Sequence, residues 1–249
     1  MRVLPVIDLK GGQVVLGRAG QRELYQPVQS VLCRDASPAA ISRAFQKLGL
    51  HQIYLADLDA IGGAEPDWDG YNQVAETGLA LWIDAGIDTL DRAQAIVDWA
   101  AERELRLICG LESLRSSEDL DRMLAKFGAD RMVVSLDLMQ GQMRTSVPAW
   151  RSAPPLQVAG ELIARGFSSL ILLDVARVGI DAGTGTRPLC REIRRRNEGV
   201  EIICGGGVSH MTDLCGLAED GCQFALLASA LHDGRIGSAE LQQFKATSS

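Results

Sequence analysis

The sequence predicts an α/β fold, a single (β/α)8 TIM barrel closed from eight parallel strands. Three observations predict it. Short apolar runs alternate with helix-like segments from end to end. The 249 residues match the size of one such barrel, and no low-complexity linker divides them. The opening run Val6-Ile7-Asp8-Leu9-Lys10-Gly11-Gly12-Gln13, a strand that ends on a carboxylate and turns at glycines, recurs as Ser135-Leu136-Asp137-Leu138-Met139-Gln140-Gly141-Gln142.

The first strand is expected over Val3–Asp8. A long loop from Gly11 to Ala36 follows, which in barrels usually borders an active site. Ser37 and Pro38 form a helix start, a capping hydroxyl followed by Pro at the first helical position, and Gly49 stops that helix after Lys47. The second strand is Gln52–Ala56, with a weakly signalled helix near Asp69–Glu76. The third strand, Ala80–Ile83, leads to a helix capped by Asp88 or Thr89 and running to Arg103, with Ala93, Ile96, Val97 and Ala100 on one face. The fourth strand is Leu105–Cys109, and Ser116 or Ser117 opens the next helix with acids in its first turn. The fifth strand is Met132–Leu136, and Pro154-Pro155 opens a helix through Ala164 that Gly166 closes. The sixth strand, Ser169–Leu173, precedes a loop with three glycines and a basic helix, Pro188–Arg196, whose arginines read as a solvated face. The seventh strand is Glu201–Cys204, followed by a helix over Met211–Ala218, and the eighth is Phe224–Leu227.

The repetition extends beyond the opening motif. Leu55-Ala56-Asp57-Leu58 is echoed by Leu172-Leu173-Asp174-Val175, and Ala85-Gly86-Ile87 by Gly206-Gly207-Val208. The single barrel is therefore expected to be an internal duplication of half-barrels, about 1–125 and 126–249. Its first and fifth strands then face each other across the mouth.

Composition narrows the function. Apolar residues make up 47% of the chain and charged residues 23%, so a large core can be buried. The net charge of -7 argues against nucleic acid or an anionic membrane as a partner. No apolar run reaches the length of a membrane span, and the first residues read as a strand without a secretory leader, so a cytoplasmic location is expected. Six cysteines show no zinc spacing and read as buried small hydrophobes of a reducing compartment. The three histidines have neither metal-ligand nor triad spacing. No metal and no cofactor is expected.

The chemistry is expected at the carboxyl ends of the strands. Asp8 and Asp137 stand there, and two carboxylates across one pocket can divide acid and base work if their surroundings push their pKa values apart. Sugar isomerisation needs such a pair: one group protonates the ring oxygen, the other removes the proton from C2. Gly206 and Gly207 after the seventh strand let a phosphate approach backbone N–H groups, and Ala228 and Ser229 after the eighth would complete that cradle. Lys10, Arg18, Gly86, Gly110, Asp174, Arg177 and Gly183 are further candidate substrate contacts.

These residues resemble a known family. Val6-Ile-Asp-Leu-Lys-Gly-Gly-Gln-Val-Val15, Leu55-Ala-Asp-Leu-Asp-Ala60, Ser135-Leu-Asp137, Ile203-Cys-Gly-Gly-Gly-Val208 and Leu227-Ala-Ser-Ala-Leu231 are similar to the histidine-biosynthesis barrels. The phosphoribosylformimino-aminoimidazole-carboxamide ribotide isomerases are the nearer branch, and the cyclase subunits their sisters. The resemblance covers nearly the whole chain and implies an Amadori-type aldose-to-ketose rearrangement without a cofactor. It places Asp8 at the general base and Asp137 at the general acid, and matches Trp150 to a Gly-Trp position after the fifth strand, with Ala149 in place of the Gly. The chain also departs from the pattern. Leu173 stands where the isomerases carry a catalytic Thr, Val178-Gly179 where they carry Asp-Gly, and Ala228 where they carry Gly. Asp84-Ala85-Gly86 replaces a glycine triplet at a phosphate site, and Glu112 adds an acid after the fourth strand. The expectation is a divergent member whose ligand carries one phosphate, with an uncharged or cationic other end.

Three function classes follow. The first is an isomerase-type enzyme acting on a phosphorylated sugar-like small molecule. The second is a phosphate-ligand-binding barrel without catalysis. The third is a cyclase or lyase working with a glutaminase-type partner that supplies ammonia. The Leu-Ala-Asp-Leu-Asp-Ala and Asp174-Val-Ala-Arg-Val-Gly179 patterns also look similar to a branch associated with tetrahydromethanopterin-linked one-carbon metabolism.

Overall fold

A computed structural model of the chain describes residues 1–180 and 183–247. Eight parallel strands alternate with helices: β1 (Arg2–Lys10), β2 (Gln52–Asp57), β3 (Ala80–Asp84), β4 (Leu105–Gly110), β5 (Met132–Met139), β6 (Ser169–Asp174), β7 (Glu201–Gly205) and β8 (Phe224–Leu227). Each pairs with the next, and β8 returns to β1 through Arg2↔Phe224 to Pro5↔Leu227, which closes the barrel. Closure leaves no barrel strand with an open edge. The helices are α1 (Pro38–Lys47), α2 (Leu58–Ile61), α3 (Trp68–Ala75), α4 (Leu90–Ala100), α5 (Ser117–Phe127), α6 (Pro155–Ala164), α7 (Arg187–Arg196), α8 (Met211–Glu219), α9 (Ser229–His232) and α10 (Ser238–Thr247).

Local chemistry sets the helix starts. The side chains of Ser37, Thr89 and Ser116 accept N–H bonds from Ala40, Arg92 and Asp119, so each satisfies a donor that the first turn leaves open. The helix expected behind an Asp88 or Thr89 cap starts as expected, with Thr89 as the cap, but ends short of Arg103 because Ala101 turns to φ +51° and breaks the run. Two single-turn helices, α2 and α9, lack the periodicity that would have announced them.

Two apolar layers hold the fold. Outward strand residues such as Ile53, Leu81, Leu107 and Val134 pack under the helices, while Leu4, Tyr54, Trp82, Ile108, Val133, Ile171, Ile203 and Phe224 fill the barrel. The amino-terminal end is plugged by polar and aromatic groups. Arg106 pairs with Glu201 at 2.5 Å, its guanidinium lies 4.2 Å over Trp82, and Trp82 meets Phe224 edge to face at 5.0 Å.

The pairing of β1 with β2 matches that of β5 with β6. Asp8 pairs with Ala56 and Leu9 with Asp57, as Asp137 pairs with Leu173 and Leu138 with Asp174. Each of β1 and β5 then folds back in a short hairpin, Lys10 against Gln13 and Met139 against Gln142. The return strands, Gln13–Val15 and Gln142–Met143, stand at the barrel mouth.

Candidate functional site at the carboxyl-terminal mouth

One pocket opens at this mouth and holds about 920 Å³ counted out to solvent. Neighbouring barrel strands present residues of the same register to the same face. The pairs Asp8↔Ala56 and Ala56↔Asp84 align one set of residues and Asp137↔Leu173 a second, and all five line the pocket. The next residues out, Asp57 and Asp174, pair with Leu9 and Leu138 and turn away from the axis.

Three carboxyls therefore share one cavity, Asp84 and Asp137 buried and Asp8 half-buried. Burial pushes Asp8 up to about 6, against the opposing pull of Arg22 and a hydrogen bond from the Gly17 backbone. Burial, then the charge of Glu112, lifts Asp137 to about 6, while the Ser135 hydroxyl donates to its Oδ1 at 2.8 Å. Asp84 rises further, to about 7, from burial and the neighbouring Asp137. The two acids expected to be pushed apart thus rise together, and a third carboxyl is the hardest of the group to ionise.

The remaining polar wall comes from three loops. Glu112 Oε1 accepts from Arg22 at 2.6 Å and its Oε2 pairs with Arg144 Nε at 2.7 Å, so one carboxylate holds two guanidiniums. Tyr54 donates its hydroxyl to Asp84 Oδ2 at 3.3 Å. The long first loop crosses the mouth: Ala19 N–H donates to the Val178 carbonyl at 2.7 Å, and Gly20 and Tyr25 line the pocket beside Val175 and Val178. Opposite the acids, the backbone of Gly206, Gly207 and Val208 and residues Ala228 and Ser229 form the other wall.

The sequence-derived candidates divide clearly. Asp8, Asp137, Gly206, Gly207, Ala228 and Ser229 are brought together in the pocket. Lys10 instead donates its ammonium to the Arg22 carbonyl at 2.7 Å and ties down the first loop. Arg18 is exposed outside the lining. Gly86 lies behind Asp84, whose Oδ1 accepts its N–H at 3.1 Å. Gly110 backs Asp84 and Asp137. Asp174 is committed to backbone: it accepts from Gln140 and Ala176 at 3.1 Å and from Gly141 at 3.0 Å. Arg177 and Gly183 bond one another across the sixth loop, Nη1 to carbonyl at 3.3 Å. Trp150 is buried, donating to Glu161 at 2.8 Å, and does not line the pocket.

Sequence reasoning missed Tyr54, Arg22 and Arg144 as pocket residues. Tyr54 was within reach, two positions before Ala56 on one strand face. Arg22 and Arg144 meet only through Glu112, and no local pattern signals that. Among the described residues, the sulfurs of buried Cys190, Cys204 and Cys222 lie within 4.8 Å of one another, but none lines the pocket. Cys215 is exposed and Cys33 half-buried, so the expectation of buried thiols holds for four of the six.

Comparison with known proteins agrees with this geometry. The histidine biosynthesis protein family matches residues 2–237. A Deinococcus radiodurans protein named as a phosphoribosyl imidazole-4-carboxamide isomerase is 30% identical over 246 residues, covering 94% of this chain and 95% of its own. The Alkaliphilus metalliredigens protein of the same name is 28% identical over 252 residues, covering 97% and 98%. An uncharacterised protein of Methanocaldococcus jannaschii is 27% identical over 243 residues, covering 97% of each chain. Among the described residues no helix is long and apolar enough to cross a membrane. The chain belongs to the histidine biosynthesis protein family.

Proposed function

We propose that the protein is an aldose–ketose isomerase that rearranges a phosphorylated ribosylamine by acid–base chemistry between Asp8 and Asp137. The observation that carries this reading is that two carboxyls from strands on opposite sides of the barrel, Asp8 half-buried and Asp137 buried, share one pocket with a glycine-rich wall. Relatives named as isomerases of a phosphoribosyl compound support the reaction class.

The chemistry is self-contained. A protonated carboxyl donates its proton to the ring oxygen, the C1–O bond breaks, and the amine lone pair forms the C1=N iminium. A carboxylate then removes the C2 proton, giving an enaminol. Protonation at C1 and loss of the C2 hydroxyl proton leave the 1-amino ketose, so one hydrogen has moved from C2 to C1 and no external oxidant enters. Asp8 is the base: at about 6 it is ionised at neutral pH yet remains basic enough to accept a carbon-bound proton. Asp137 is the acid, and its like-charged neighbour Asp84 helps the pair retain a proton at neutral pH. Gly206, Gly207, Ala228 and Ser229 receive the phosphate.

Ribose 5-phosphate condensed with aniline provides a one-phosphate ribosylamine for the test. Incubated in deuterium oxide, it is expected to yield the 1-anilino ketose with deuterium at C1, read by carbon-13 NMR. Asp8→Asn and Asp137→Asn should each lower turnover by about a hundredfold or more while phosphate-ligand binding persists. Tight binding without any 1-anilino ketose formed would instead make this a ligand-binding barrel and end the isomerase reading.

A further inference from the structure

Resting on that reading of the pocket, we infer that Asp84 makes the enzyme selective for ligands with a single phosphate and a cationic or hydrogen-bond-donating group at the opposite end. The inference comes from comparing the two halves of this one chain. After β3 the backbone turns at Gly86 with φ +59°, and after β7 it turns at the equivalent Gly207 with φ +90°. Both glycines press on the preceding loop: a Cβ on Gly86 would lie 2.8 Å from the Ala60 carbonyl, and one on Gly207 would lie 2.7 Å from that of Gly183. The turn that lets an anion approach backbone is thus built twice.

The strand ends differ. At β7 the inward position is Gly205, with no side chain, and the pocket is lined beyond it by Gly206, Gly207 and Val208. At β3 the inward position is Asp84. Its carboxylate reaches over the turn and takes the Gly86 N–H, and of residues 84–87 only Asp84 lines the pocket. The protein places its own carboxyl where a second phosphate would sit. A phosphate dianion placed there would displace that carboxylate and face Asp137 and Glu112 beside it.

Among the described residues, the two arginines that line the pocket at this end are already paired, and Arg92 behind the turn is spent on the Ala60 and Ala85 carbonyls. Arg22 and Arg144 are both engaged by Glu112, while Asp84 receives the Tyr54 hydroxyl and one N–H. A ligand ammonium or amino group entering here meets carboxyl oxygens on two sides. The two ends of the pocket therefore differ, glycine backbone at one and carboxyls at the other, with apolar Leu173 and Leu226 also in the lining.

The test uses ligands that cannot isomerise: N-aryl-1-amino-1-deoxyribitol 5-phosphates whose para substituent is aminomethyl, methyl or phosphonomethyl. Their affinities for the wild-type chain are measured by calorimetry. The aminomethyl ligand is expected to bind about tenfold more tightly than the methyl one, and the phosphonomethyl ligand about tenfold more weakly. In Asp84→Asn, which keeps an acceptor for Gly86, the three should converge to within about threefold. Asp84→Ser, with a smaller acceptor, serves if the first variant does not fold. A wild-type chain that binds the phosphonomethyl ligand as well as the aminomethyl one overturns the inference, as does a ranking unchanged in both variants. Efficient turnover of the doubly phosphoribosylated compound would overturn it as well. Turnover plays no part in the binding measurement, so the expected ranking without isomerisation would end the isomerase reading alone. Failure of all three ligands to bind overturns both.

Discussion

Asp84 and Asp137 converge on a single glycine. Oδ2 of each lies 3.7 Å from the point that a Cβ on Gly110 would occupy, so two carboxyls from β3 and β5 meet over the bare end of β4. Their mutual repulsion is the second cause, after burial, of the high pKa of Asp84.

That contact predicts coupled titration. Replacing Asp137 with Asn removes a neighbouring negative charge, so Asp84 should ionise at lower pH than its present value of about 7. Carbon-13 NMR of labelled aspartate carboxyls reads the shift. An Asp84 midpoint that stays put would show that burial alone sets it.

The acids also set how stability depends on pH. Asp84 moves from an ordinary 3.8 to about 7 on folding. Below about pH 4 both folded and unfolded chains hold the proton. As the pH rises towards 7, the unfolded chain releases a proton that the folded chain retains, so stability is lost. Asp8 and Asp137, at about 6, act in the same direction over a narrower window. Thermal melting should therefore fall from pH 5 to pH 8. Asp84→Asn should be more stable than the wild type at pH 8 by on the order of 2–4 kcal/mol, and nearly equal at pH 4.

Glu112 organises the loops around the mouth. Glu112→Ala would leave the guanidiniums of Arg22 and Arg144 without their shared carboxylate, a loss on the order of 2–4 kcal/mol for a largely buried network. Hydrogen exchange should accelerate in the first loop around residues 17–25, which Arg22 anchors. Unchanged protection there would mean that the Ala19–Val178 backbone bond holds the loop by itself.

The glycine wall has a test of its own. Gly207 sits at φ +90° with the Gly183 carbonyl 2.7 Å from where a Cβ would stand, so Gly207→Ala combines strain with a clash. It should cost about 1–3 kcal/mol and abolish any rise in melting temperature caused by inorganic phosphate. Gly63 also has positive φ, +100°, but open space around it. The control Gly63→Ala should cost less and keep the response to phosphate.

The sequence by itself determined the barrel, because its signals are local: apolar runs of strand length, capping hydroxyls, and glycines that stop helices. It also placed Asp8, Asp137, Gly206 and Gly207 correctly at the mouth, since a residue that ends a barrel strand ends there wherever the strand lies. Only the tertiary structure decided which strand-end acids face the pocket. Asp137 and Asp174 look alike in sequence, each closing an apolar run. Register turns the first inward and the second outward, where three backbone N–H groups consume it. Asp84 was legible as a change from a glycine pattern, but its reach over Gly86 depends on inward pairing with Ala56. Arg22, Glu112 and Arg144 lie far apart along the chain, and closure of the barrel brings their loops over one cavity. Strand periodicity is a property of neighbours in sequence, whereas the charge balance of this pocket is a property of neighbours across the barrel.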